Sequence, residues 1–110
     1  MRDEVINEII SELRLPAAIA QKLLNQYLGV LPKDVERLNE NVVKEDFLAA
    51  AKVAHSIKGA SGNLRITKIY QLADELEQIL RAMPEETAQG SREKVDAMLG
   101  ELDELVKKLV

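Results

Sequence analysis

The chain has 110 residues, of which 46% are apolar and 31% charged, with a formal charge of −4 and no cysteine. That length accommodates one domain with one modest core, spanning residues 1–110, and the apolar content excludes a disordered chain. The charge offers no basic footprint for nucleic acid, the missing cysteines exclude disulfides and thiolate metal sites, and no apolar run is long enough to span a membrane.

Aromatic residues are limited to Tyr27, Phe47 and Tyr70. The core must therefore be built from Leu, Ile, Val and Ala, which favours packed helices over sheets. Val5, Ile6, Ile9, Ile10 and Leu13 predict a short first helix that ends near Pro16. Leu24, Leu28, Leu31, Val35, Leu38 and Val42 then alternate by four and three. This phase passes straight through Pro32, so it predicts one long helix, kinked near Gly29–Pro32, where the Leu28 carbonyl loses its donor.

NVVKED reads as a turn, and Glu45 or Asp46 favours the start of a third helix through its dipole. That helix is expected to run to about Leu64. Ile66, Ile69, Ala73, Leu76, Leu80 and Met83 predict a fourth, stopped at Pro84. PEETAQGS is the clearest loop, with Ser91 as the expected N-cap of a last helix carrying Val95, Met98, Leu102, Leu105 and Leu109. Short connections imply antiparallel neighbours. The expected fold is all-α: an up-down antiparallel four-helix bundle with an additional short N-terminal helix.

Within the third helix lies AHSIKGASGNL, which holds the only histidine of the chain. Gly59 and Gly62 follow His55 at i+4 and i+7, and each costs about 1 kcal/mol against alanine in a helix interior. On a helical wheel Ala50, Val53, Ala54, Ile57, Ser61 and Leu64 form the core face, with His55 opposite its centre. Within about 60° of His55 fall Leu48, Ala51, Lys52, Lys58, Gly59 and Gly62. A glycine role in packing a neighbouring helix is disfavoured, because both lie on the outward side.

An exposed imidazole with cleared ground around it and a lysine at i+3 suits phosphoryl transfer to a macromolecular partner. Neutral imidazole is a nucleophile near neutral pH, provided one ring nitrogen is bare and the other donates its proton to an acceptor. The Lys58 ammonium would neutralise charge on the incoming group.

Ala54, His55, Ile57, Lys58, Gly59, Ser61 and Leu64 fall on the pattern A-H-x-L-K-G-x-S/A-x-x-L-G. The stretch thereby resembles the histidine-containing phosphotransfer (HPt) domains. It is similar also to the N-terminal phosphoacceptor domain of chemotaxis histidine kinases, and the proline-bearing helix before it extends the resemblance over most of the chain. The resemblance implies that His55 is phosphorylated, that Lys58 assists, and that Gly59 lets a response-regulator receiver domain approach. It also implies that Glu77, 22 residues after the histidine, receives the proton of the other ring nitrogen. Arg65 departs from the family, which usually has glycine there. If the turn demands positive φ, arginine is strained in it; it can equally meet an acidic partner surface.

The function expected is that of a cytoplasmic phosphorelay carrier. It takes a phosphoryl group on His55 from a receiver aspartate or a kinase and passes it to another receiver. Receivers are the expected partners, with a hybrid histidine kinase as a further candidate and neither nucleic acid nor membrane among them. No glycine-rich nucleotide loop or cluster of metal ligands is present, so no cofactor is expected, and Mg²⁺ belongs to the receiver alone. A helical scaffold or dimerisation module with an incidental histidine is the alternative. The dimerising segment of a histidine kinase fits poorly, since Ser56 replaces the usual acidic residue and no proline follows before Pro84. The Met-initiated chain favours a free-standing module.

Overall fold

A computed structural model describes residues 2–83 and 89–110. They form five helices: α1 (Arg2–Leu13), α2 (Ala17–Val43), α3 (Phe47–Asn63), α4 (Thr67–Ala82) and α5 (Gln89–Leu109), with no strand among the described residues. Pro84 and most of the PEETAQGS loop lie outside the described residues. Because α5 has begun by Gln89, Ser91 sits inside its first turn and is not its N-cap. None of the described helices is long and apolar enough to cross a membrane.

Pro16 separates α1 from α2, and its carbonyl accepts from the Ile19 and Ala20 amides at 3.1 and 3.0 Å. From there α2 runs without interruption through Pro32. It packs on α3, α3 on α4, and α4 on α5, which returns to α2, while α1 lies against α2. The three-four stripes supply the core: Leu24, Leu31, Val35, Leu38 and Val42 face Ile57, Ile69, Leu76, Leu80, Leu102 and Leu109 in one buried cluster. Leu28 is only partly buried, and Tyr27 takes the inward position beside it. The Tyr27 hydroxyl meets Ser61 Oγ at 2.6 Å in the core, so both buried oxygens are paired. Burial pushes the Tyr27 phenol up to about 12 against the opposing effect of the Ser61 hydrogen bond, and the ring stays neutral.

The turns on either side of α3 share one device. Asp46 caps the helix start by accepting from the Ala49 amide at 3.2 Å. At the end of α2, Glu45 (φ 60°) donates its amide to Val42 and Asp46 to Asn41. At the end of α3, Arg65 (φ 60°) donates to Gly62 and Ile66 to Ser61. Both are Schellman closures, in which the residue after the cap must be left-handed and glycine is the least strained occupant. Arg65 therefore keeps the turn that glycine would make, at the cost of a left-handed backbone. Its Nη1 returns one hydrogen bond, 2.8 Å, to the Gly62 carbonyl.

Relief of that backbone strain is measurable. Glu45→Gly is expected to stabilise the protein by about 1 kcal/mol, and Arg65→Gly by somewhat less because the bond to Gly62 goes with the side chain. Urea denaturation checks this; an unchanged or lowered midpoint for Glu45→Gly would contradict the strain.

Candidate functional site

His55 and Glu77 meet where α3 and α4 run antiparallel. Three pairings set the register: His55 with Glu77, Lys58 with Asp74, and Gly62 with the ring of Tyr70. Numbers rise along α3 as they fall along α4. His55 and Glu77 each lie eleven residues from Ile66, the first residue after the left-handed turn. A turn at Arg65–Ile66 thus brings residues 22 apart face to face, about 16 Å up each helix.

The centre of the site is a buried carboxylate. Glu77 is only 6% exposed, although it lies in the charged run ADELEQ. Its Oε1 accepts from Lys58 Nζ at 2.8 Å. Its Oε2 accepts from Arg81 Nη2 at 2.8 Å and Nε at 3.0 Å. His55 Nδ1 lies 3.0 Å from Oε2 and 3.2 Å from Oε1. Burial alone would raise the Glu77 carboxyl; hydrogen bonds from Lys58, Arg81 and His55, with the Lys58 charge, outweigh it and hold the group down at about 2.

An ionised carboxylate only accepts hydrogen bonds, so the His55 proton belongs on Nδ1. Nε2 of the neutral ring is then bare, on a side chain that is 62% exposed. Lys58, half-buried, also reaches Asp74 Oδ1 at 3.4 Å. The hydrogen bond to Glu77 raises its ammonium above the usual lysine value, opposed by burial and reinforced by the charges of Glu77 and Asp74. The assembled groups are a nucleophilic nitrogen, an anchored proton on the other nitrogen, and a cation one helical turn away.

A family model described as Hpt domain matches residues 22–108. The chain belongs to the Hpt domain family. It is also 30% identical over 84 residues to "Phosphotransferase RcsD" of Escherichia coli (strain K12), an alignment that covers 76% of this chain and 9% of the relative. The chain thus spans about a tenth of the length of the curated relative it matches. No solved structure matches it significantly.

In this Hpt domain the other residues expected on the histidine face divide. Leu48 (53% exposed), Lys52 and Gly59 are on the surface, and an added methyl at Gly59 would meet nothing within 4 Å. Ala51 is fully buried, so it lies beneath the face and is not available to a partner. The wheel erred there because a neighbouring helix covers more of α3 than its apolar stripe indicates. Gly62 also differs: a methyl would come within 3.1 Å of the Tyr70 ring, so the missing side chain makes room for α4. Arg65 is exposed at the turn.

Sequence reasoning missed Arg81, Asp74 and Tyr70. The Glu77–Arg81 spacing of i, i+4 was a usable signal for the first. The Tyr70–Gly62 contact required the helix register and had no local signal.

Because the Glu77 pKa is depressed by folding, its stabilising effect is complete above the ordinary value of 4.5 and is lost as pH falls through about 2. Denaturation of the wild type and Glu77→Gln from neutral pH into this acid range is expected to show the wild-type advantage shrinking with acid. A constant difference would contradict an ionised, hydrogen-bonded Glu77.

Proposed function

We propose that His55 is the phosphoacceptor of a phosphorelay carrier. It takes a phosphoryl group from the aspartyl phosphate of a receiver domain and delivers it to the aspartate of another. The observation that carries this reading is the ring itself: Nδ1 is tied to buried Glu77 at 3.0 Å while the imidazole is largely exposed. In the forward step the Nε2 lone pair attacks phosphorus. The phosphorus–oxygen bond of the acyl phosphate breaks, and the receiver carboxylate leaves with the electron pair. The Nδ1 proton stays on the ring, and Glu77 stabilises the positive charge that the substituted imidazole acquires. Lys58 turns from the carboxylates toward the phosphoryl oxygens. The reverse step onto a second receiver uses the same groups.

Open space at Gly59 supports a partner that approaches the helix backbone, since the chain's own packing does not require glycine there. Leu48, Lys52 and Arg65 are exposed around it and complete the docking face. In this reading α2 to α5 form an up-down antiparallel four-helix bundle that holds the site rigid, with α1 added to it. Residues 1–110 act as a single carrier domain in the cytoplasm, with no nucleotide or metal of its own, the Mg²⁺ being bound by the receiver. Family membership and the relative named as a phosphotransferase support a phosphotransfer role. Receivers and a hybrid kinase are the proposed partners.

The test mixes the protein with a set of receiver domains that carry labelled aspartyl phosphate. Acid-labile label is expected on the wild type and none on His55→Ala; equal labelling of both would overturn the assignment. Gly59→Ala is expected to fold with about 1 kcal/mol more helix stability and yet accept phosphate on the order of tenfold more slowly.

A further inference from the structure

Glu77 has more cationic partners than its charge requires. Lys58 and Arg81 both engage it, and they use different oxygens: Lys58 takes Oε1, whereas the Arg81 fork closes on Oε2 through Nη2 and Nε. Oε2 is also the oxygen nearer to His55 Nδ1, at 3.0 against 3.2 Å. Arg81 has no other contact among the described hydrogen bonds and ion pairs, whereas Lys58 is shared with Asp74. Arg81 therefore sits one helical turn beyond Glu77, on the side away from Lys58 and Asp74.

The division matters once a phosphoryl group is on the ring. Lys58 cannot serve a phosphoryl oxygen and Oε1 of Glu77 with full strength in one position. If it moves, a buried carboxylate without another cation would draw the Nδ1 proton or take one up, and a buried charge left alone is costly. A guanidinium that already holds the second oxygen prevents both outcomes, because its planar fork fixes the carboxylate in orientation as well as charge.

We propose that Arg81 is a positioning residue: the standing counter-ion of Glu77, which keeps that carboxylate ionised and aimed at His55 Nδ1 while Lys58 is released to the phosphoryl group. The proposal deepens the phosphocarrier reading and rests on it for the kinetic role of Lys58. The resting geometry it asserts does not depend on a partner.

The test has two arms. In the unphosphorylated protein, ¹⁵N NMR of the His55 ring reports which nitrogen carries the proton. The Nδ1–H form is expected in the wild type and in Lys58→Met, where Arg81 alone holds Glu77. Adding Arg81→Met to Lys58→Met is expected to lose that preference, and Arg81→Lys in the same background to restore it in part. Loss of the Nδ1–H form in Lys58→Met alone, or its retention in the double variant, overturns the proposal. In the second arm, Arg81→Met with Lys58 intact is expected to accept phosphate from a phosphorylated receiver about tenfold more slowly, with unchanged circular dichroism. A wild-type rate overturns the proposal even if the double variant fails to fold. Should no receiver label the wild type, the carrier reading fails while the NMR arm still decides how Glu77 is held.

Discussion

A carboxylate cannot be kept ionised inside a protein unless its charge is answered by hydrogen bonds, and Glu77 is answered from three side chains. That requirement organises the rest of the site. It ties α3 to α4, orients the imidazole of His55, holds Lys58 within reach of the ring, and recruits Arg81 from the next turn of α4. Each group is individually ordinary. Their convergence on one buried oxygen pair fixes the tautomer of an exposed imidazole and leaves its Nε2 bare.

The meeting of His55 with Glu77 depends in turn on how α3 ends. The Schellman closure at Ser61–Ile66 sets the register of the two helices, and a different turn would rotate residue 77 away from residue 55. Arg65 shows that the geometry is retained without glycine, in a left-handed backbone that Glu45 also adopts at the end of α2. The core supports the same register. Tyr27 and Ser61 pair in the interior between α2 and α3, and Gly62 lets Tyr70 of α4 pack close against α3.

Much of the helix plan was readable from apolar spacing, because leucines at three-four intervals have one satisfactory burial mode. The phase running through Pro32 identified α2 as one helix, and the wheel turned His55 outward. Glu77 was another matter. Within ADELEQ it lies on the flank of the apolar stripe, a place that suits a solvated glutamate as well as a buried one, and only the family resemblance singled it out. Ala51 and Gly62 were misplaced for a shared reason. A wheel describes one helix in isolation, whereas α2 and α4 together cover α3 well beyond its apolar stripe. The role proposed for Arg81 depends on which oxygen it takes, and that is a property of three dimensions.

Geometry at the ring also makes a commitment that labelling of His55 alone would not test. With Nδ1 held by Glu77, a phosphoryl group carried on His55, as proposed, would have only one nitrogen to join. The decisive measurement is NMR of the phosphorylated protein with ¹⁵N-labelled histidine, which identifies the nitrogen bonded to phosphorus. Phosphate on Nε2, with Nδ1 still protonated, is the predicted result; phosphate on Nδ1 would contradict the account of the site.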